Sequence, residues 1–315
     1  MNVKQTVLRA LLDAKDRVVS GEEIAVRAGV SRVAVNKAVQ SLNKSGFEIE
    51  SMVSSGYRLV FAPHFLEKDY VEASLPEGVA LHFYDEIDST NNEAKRLLSS
   101  GIKAPFAVVS AKQTGGRGRR GRVFTSPEGG VYVSTVLPVS TLSSTELVTT
   151  GAALAVAKLL ESVTGEECAI KWVNDVYYRG RKAVGILTEG VVNMELGQIE
   201  EVIVGIGINY EVESFPPELA DIAISLYPEK NAPLSASVLA GLEVKTLIET
   251  LNSDFLSEYR RRCFVIGKDI YVLRGDSKRE AKALDVDENA HLVVEYENGE
   301  IEHLSSGEVT IRVAR

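Results

Sequence analysis

A chain of 315 residues with 45% hydrophobic and 25% charged residues is long enough for two or three compact domains and has the composition of an ordinary globular protein. Its formal net charge of −9 argues against wholesale coating of nucleic acid, while leaving room for a local basic face. Charge is scattered through the first apolar positions and no apolar run approaches membrane-spanning length, so neither a signal peptide nor a membrane segment is expected.

Cys168 and Cys263 share no CxxC spacing, and His64, His82, His291 and His303 form no metal-ligand pattern. A reducing cytoplasm and no structural zinc are expected.

Residues 4–13 place Val7, Leu8, Leu11 and Leu12 at helical spacing. In "DRVVSGEEIAVRAG", Ser20 and Glu23 make a capping box for a second helix. Gly29 supplies a turn and Ser31 an N-cap for a third helix, whose apolar face is Val35, Val39 and Leu42. "FEIESMVSSGYRLV" alternates around Ser55-Gly56 as a two-stranded hairpin does. Three helices and a hairpin in this order predict a winged helix-turn-helix over 1–63, with the third helix entering the major groove. Ser31, Arg32, Asn36 and Lys37 then face DNA, and two half-sites call for a homodimer. The alternative is a small helical interaction domain with solvated charges. "FAPHFLEKDYVEASLPEG", with Pro63 and Pro76 around a short helix, reads as a connection.

From "GVALHFYDEIDST" onward short β-branched segments dominate: "FAVVSAKQT", "GGVYVSTVLP", "CAIKWVNDVYY", "KAVGILTEG" and "EEVIVGIGINY". Turns such as Arg179-Gly180 and Leu196-Gly197 are too short for crossover helices, so a mostly antiparallel sheet is expected. Helical stretches at 90–99, 145–163 and 236–262 make the class α+β, with helices on one face of the sheet.

"KQTGGRGRRGR", residues 112–122, concentrates positive charge between two strands of an acidic chain. Arginine offers forked donors suited to phosphate or carboxylate, and glycine lets backbone approach closely, so the loop reads as an anion clamp at the sheet's edge. An RG-rich nucleic-acid tether is the competing reading, disfavoured because ordered strands flank a single copy. No GxxxxGK[ST] loop occurs.

"IKWVNDVYYRGRKAVGIL" puts Lys171, Asn174 and Asp175 on one arm of a hairpin and Lys182 on its return, a set able to hold nucleotide phosphates and Mg²⁺. Solvated or turn-capping polar residues would look the same. In "DEIDSTNNEAKRLL", Thr90 and Glu93 read as a capping box, which alone could explain Ser89 and Thr90. "GIGIN" at 205–209 is weak by itself and explicable by tight strand-end geometry.

Taken in chain order, "DSTN" at 88–91, "QTGGRGRRGR" at 113–122, "KWVND" at 171–175, "GRKAVGIL" at 180–187 and "GIGIN", behind a winged helix, resemble the bifunctional biotin–protein ligase and biotin-operon repressor family over essentially the whole chain. The resemblance implies a class II aminoacyl-tRNA synthetase/biotin ligase-like domain over 64–265 and an SH3-like β-barrel over 266–315. It implies that ATP and biotin react to biotinyl-5′-AMP and pyrophosphate with Mg²⁺, followed by transfer to a lysine of a biotin carboxyl carrier protein. It also implies repression at the operator DNA of biotin genes by the adenylate-loaded homodimer, with no membrane partner.

By the same resemblance, biotin contacts fall on Ser89, Thr90, Asn91, Gln113, Arg117, Gly118, Arg119 and Lys182. Nucleotide contacts fall on Arg119, Arg122, Phe124, Lys171, Asn174, Lys182 and Asn209, with Asp175 orienting the metal or the acceptor lysine. Lys182, Arg119 and Asp175 are the implied catalytic set. Val173 stands where the family usually has proline, and Phe124 where it has tryptophan. Both changes leave the reacting groups in place. A ligase without DNA binding, a repressor without ligase activity and a lipoate ligase are the alternatives. In the remaining segment Asn298-Gly299 marks a hairpin turn.

Overall fold

The computed structural model describes residues 2–14, 17–52, 55–193, 195, 197–274, 277–305 and 308–311. The chain opens with α1 (Val3–Ala14), α2 (Gly21–Ala28) and α3 (Arg32–Lys44), then the hairpin β1 (Glu48–Met52) and β2 (Gly56–Phe61). Ser20 and Ser31 cap α2 and α3 by accepting from the backbone N–H of Glu23 and Ala34, and Gly29 takes the left-handed conformation that turns one helix into the next. Val7, Leu8, Ile24, Val35, Val39 and Leu42 close a small core beneath the hairpin.

Helix α4 (Lys68–Ser74) follows. Its two faces belong to different cores: Tyr70 and Ala73 pack with the winged helix, while Val71 packs with the central domain. Arg9 donates from α1 to the Glu72 and Leu75 carbonyls, and Gln5 donates to Asp69 and Glu72, so polar contacts reinforce the junction.

The central domain runs β3 (Ala80–Tyr84), α5 (Thr90–Ser99), β4 (Phe106–Ser110), β5 (Val131–Pro138), α6 (Val148–Thr164), β6 (Ala169–Lys171), β7 (Asp175–Tyr178), β8 (Arg181–Asn193), β9 (Gln198–Ile208), α7 (Ala236–Leu251) and α8 (Leu256–Arg262). Its seven-stranded sheet has the order β3-β4-β5-β9-β8-β7-β6, and only the β3–β4 pair is parallel.

Three details depart from the sequence reading. The stretch 236–262 is two helices, because the polar run Asn252-Ser253-Asp254 interrupts it. Helices α6 and α7 cover one face through the main core, as expected, but α5 lies on the other face, where Ala94, Leu97 and Leu98 meet Phe106, Val108, Val136 and Ile203. Finally, "CAIKWVNDVYY" is two strands joined at 172–174, so Lys171 on β6 pairs across from Asp175 on β7. Of the predicted hairpin turns, Arg179-Gly180 forms with both residues at positive φ, whereas Leu196 lies outside the described residues.

The last segment, β10 (Asp269–Arg274), β11 (Ser277–Val286), β12 (Leu292–Tyr296), β13 (Ile301–Leu304) and β14 (Glu308–Ile311), forms a five-stranded antiparallel sheet in the order β13-β12-β11-β10-β14. Asn298-Gly299 lies in the β12–β13 turn, with Gly299 at φ 80. Trp172 is buried and its indole N–H donates to the Ala290 carbonyl at 3.0 Å, which ties this sheet to the turn between β6 and β7.

Candidate active site

Two adjoining cavities open where the start of α5, the 113–124 loop and strands β7–β9 converge, and Arg117, Phe124 and Gly185 line both. The smaller is walled by Ser89, Thr90, Asn91 and Gln113; the larger by Arg119, Arg122, Lys171, Asn174, Asp175 and Lys182.

The wall at α5 begins with a cap. Ser89, not Thr90, is the N-cap residue, its Oγ accepting from the Asn92 N–H, so the predicted Thr90–Glu93 box does not form. Glu93 instead accepts from the Tyr84 hydroxyl and from Arg96. Asp88 accepts from Arg96 and Asn92, and this guanidinium contact holds its carboxyl well below the usual carboxylate range. With capping assigned to Ser89, the Thr90 side chain is released to face inward. Its backbone N–H donates to Gln113 Oε1 at 2.8 Å, and Gln113 Nε2 donates to Ser126 Oγ at 2.9 Å.

Ser89, Thr90 and Asn91 are each at most 4% exposed, and Asn91 is engaged at both ends. Its Nδ2 donates to the Leu187 carbonyl and to Glu189, and its Oδ1 lies 2.6 Å from Ser134 Oγ. Asn91 therefore lines the cavity as a pillar rather than as a free donor. Burial pushes the Glu189 carboxyl up, but Lys95 at 2.7 Å and the Asn91 amide prevail and hold it below the usual range, so it is ionised at neutral pH.

The floor is bare backbone. Gly185 on β8 pairs with Gly207 on β9, and Leu187 with Gly205. A Cβ on Gly207 would lie 2.3 Å from the Phe124 ring, and one on Gly205 would lie 2.0 Å from Asn91 Oδ1. "GIGIN" is thus explained by close approach along one strand face, a period-two signal legible in the sequence, rather than by strand-end geometry.

The cationic loop folds as a tight turn over the larger cavity. The Gly118 N–H donates to the Arg122 carbonyl at 2.8 Å, Arg117 reaches Asn92, and Arg119 Nη1 donates to Asn174 Oδ1 at 3.2 Å. Gly116 is set by contact, since a Cβ there would sit 2.2 Å from the Phe124 carbonyl oxygen. Across the cavity Lys182 Nζ pairs with Asp175 Oδ1 at 2.6 Å and lies 5.9 Å from the Phe124 ring centroid. Val309 from β14 completes the lining.

Every predicted site residue of the central domain reaches one cavity or the other except Asn209. That side chain is buried, with Nδ2 3.5 Å from the Lys182 carbonyl, and it lines neither. The sequence reading missed Ser134, Glu189, Trp172 and the glycine floor, of which only the glycine pair left a local pattern.

Asp175 is the single carboxylate lining the larger cavity, and among the described residues no group of three or more His, Cys, Asp or Glu side chains could hold a metal ion. One carboxylate suits Mg²⁺ delivered on a polyphosphate, which takes most ligands from phosphate and water. On the winged helix, Ser31, Arg32, Asn36 and Lys37 are all exposed, and Asn36 Nδ2 donates to the Tyr57 hydroxyl at 3.3 Å. No described helix is long and apolar enough to cross a membrane.

The chain matches the Biotin/lipoate A/B protein ligase family over residues 83–209, an HTH domain over 3–58 and the Biotin protein ligase C terminal domain over 265–312. It is 38% identical over 231 residues to the bifunctional ligase/repressor BirA of Bacillus spizizenii, covering 71% of this chain and 70% of that one. With the BirA of Salmonella typhimurium it shares 26% identity over 326 residues, 99% and 98% of the two chains. The biotin protein ligase of Aquifex aeolicus, solved in complex with biotin and ATP, superposes with a TM-score of 0.63 at 28% identity, covering 75% of this chain and 99% of that one.

Proposed function

This chain belongs to the bifunctional ligase/repressor family of biotin protein ligases, and on that premise we propose how its cleft divides the work. The protein is a biotin–[acetyl-CoA-carboxylase] ligase that also acts as a repressor through its winged helix. The observation that carries the division is the joining of a small cavity walled by the buried Ser89, Thr90 and Asn91 to a strongly cationic one, at Arg117, Phe124 and Gly185.

Biotin occupies the smaller cavity between Thr90, Gln113 and the glycine floor, with its carboxylate directed toward the larger. ATP occupies the larger, where Arg119, Arg122, Lys171 and Lys182 face its phosphates. Adenylation brings two anions together, so its barrier is chiefly electrostatic, and fixed cations at the α-phosphate lower it. Lys182 is placed for this, because Asp175 holds the ammonium at the junction before any ligand arrives. Arg119, anchored on Asn174, closes the loop side. Asp175, the one carboxylate lining this cavity, would hold a Mg²⁺ bound with the nucleotide, which would supply charge neutralisation for the departing pyrophosphate. The carboxylate oxygen displaces pyrophosphate from the α-phosphorus, and the folded loop shields the mixed anhydride from water. The acceptor lysine of a biotin carboxyl carrier protein then attacks the acyl carbon and releases AMP.

The exposed Ser31, Arg32, Asn36 and Lys37 read operator DNA, and paired half-sites call for a homodimer. Two buried free thiols, Cys168 and Cys263, support a cytoplasmic setting.

The test is pyrophosphate release from ATP·Mg²⁺ with biotin or with lipoate, followed by transfer to a carrier-domain fragment. Release and transfer with biotin alone are expected, and silence with biotin overturns the reading. On operator DNA, Arg32→Ala and Lys37→Ala should each reduce the salt slope of binding by about 1. Unchanged slopes would remove both from the DNA face.

A further inference from the structure

The corner between β6 and β7 carries Lys171, Asn174 and Asp175 to the larger cavity, and two neighbouring elements fasten it. Tyr259 of α8 donates its hydroxyl to the Val173 carbonyl at 3.3 Å, and the Trp172 indole N–H donates to the Ala290 carbonyl at 3.0 Å. Trp172 is 4% exposed and an indole nitrogen can only donate, so without that carbonyl its N–H would be buried and unpaired.

The carbonyl it meets belongs to a turn with a lock of its own. Ala290 sits at φ 61, in the left-handed region that a residue with a Cβ keeps only where its surroundings hold it. Asp287 does the holding. Its Oδ1 accepts from the backbone N–H groups of Asn289 at 3.0 Å and His291 at 2.8 Å, one on either side of Ala290. The backbone closes the same turn, the Ala290 N–H donating to the Asp287 carbonyl and the Asp287 N–H to the His291 carbonyl. Asp287 Oδ2 meets Nδ1 of His303, on β13, at 2.7 Å, and Nδ1 of His291 lies 3.4 Å away. Burial pushes the Asp287 carboxyl up, but His303 and the two backbone N–H groups prevail and hold it below the usual carboxylate range. A carboxylate has no proton to give, so His303 Nδ1 carries it, which a neutral imidazole can do.

We infer that Asp287 and His303 are positioning residues for the nucleotide: they fix the 287–291 turn, the turn aims the Ala290 carbonyl at Trp172, and Trp172 holds the corner that presents Lys171, Asn174 and Asp175. Neither residue lines the cavity, so their influence passes through Trp172, whereas Val309 of the same sheet reaches the cavity directly. None of residues 171–175 lines the smaller cavity, so biotin binding is insulated from this turn. The inference rests on ATP occupying the larger cavity.

Trp172 is the one tryptophan of the chain, so its indole N–H resonance reports this hydrogen bond without interference. The experiment reads that resonance in the isotope-labelled full chain, together with biotin affinity by calorimetry and KM for ATP in biotin-dependent ATP–pyrophosphate exchange. Asp287→Ala should move the indole resonance upfield and raise KM for ATP about tenfold, the scale of one buried N–H left unpaired, while biotin affinity stays within about twofold. Asp287→Asn keeps the Oδ1 acceptor and can pair with the other tautomer of His303, so it should restore most of both. Trp172→Phe should raise KM for ATP to a similar extent, and adding Asp287→Ala should raise it no further, because the carboxylate acts through the indole. An unmoved resonance or an unchanged KM for ATP in Asp287→Ala overturns the inference, as does a loss of biotin affinity in step with that of ATP. If Asp287→Ala does not fold, His303→Ala, at an exposed position, replaces it under the same criteria. A wild-type chain with no biotin-dependent exchange would instead overturn the ligase reading itself.

Discussion

The two walls of the cleft are made on opposite principles. At the start of α5 the polar groups are buried and satisfied within the protein: Ser89 by capping, Asn91 by three partners, Thr90 by Gln113 and Ser134. On the loop, Arg117, Arg120 and Arg122 are exposed, with long side chains that a polyphosphate can gather. The contrast teaches that recognition and charge stabilisation are separated. On the proposed assignment of biotin to the buried wall, a mismatched ligand head would leave a buried group unpaired, and the wall would discriminate on that ground. The loop supplies positive potential to any anion of the right reach, and by itself it discriminates weakly.

That separation can be broken from either side. The largest effect is expected at the junction: Lys182→Ala should lower adenylate synthesis on the order of 10²–10³-fold, with biotin affinity changed far less. Retained synthesis in a quench-flow assay would remove the lysine from the reaction. On the buried wall, Gly205→Ala drives a methyl into Asn91 and should cost about 1–3 kcal/mol of stability together with most biotin binding. Thermal melting with and without biotin reads both, and an unaltered biotin-induced shift would contradict a rigid wall. On the loop, Arg119→Gly should speed dissociation of the adenylate about tenfold while leaving biotin binding in place, as a stopped-flow chase would show. The smallest effect is with pH. The Glu189 carboxyl is held below its usual value, so its support for Asn91 is full above about pH 4.3 and is lost as pH falls through the lower, folded value. Biotin affinity should thus stay flat near neutrality and fall only in acid, and Glu189→Gln should remove that acid limb.

Much of this was legible because the chemistry lies in short, ordered motifs. The winged helix announced itself through Ser20, Gly29 and Ser31, residues whose local backbone roles are read one position at a time. The cationic loop was visible from charge density alone. Thr90 was misjudged as a cap because Ser89 and Thr90 are both competent, and only the helix start decides which of them is freed to face the cavity. Ser134 and Glu189 carry no local signal: each sits beside another polar residue in its strand, Thr135 or Thr188, and its contact with Asn91 spans 43 or 98 positions. Asn209 is the converse case: a motif residue just past the end of β9 lines neither cavity, and its Nδ2 lies 3.5 Å from the Lys182 carbonyl.

Helix α4 bears on how such a protein could be taken apart. Tyr70 and Ala73 complete the core of the winged helix, together with Val238 from α7, while Val71 and Leu75 belong to the core of the ligase. The DNA-reading unit is modular as text but not as a solid. Cutting the chain at residue 63 would strip the cover from Tyr70, Ala73 and Val238 and leave a raw apolar seam on the ligase. A viable free-standing ligase made from this chain would need polar replacements along that seam, and a transplanted winged helix would need to carry α4 with it.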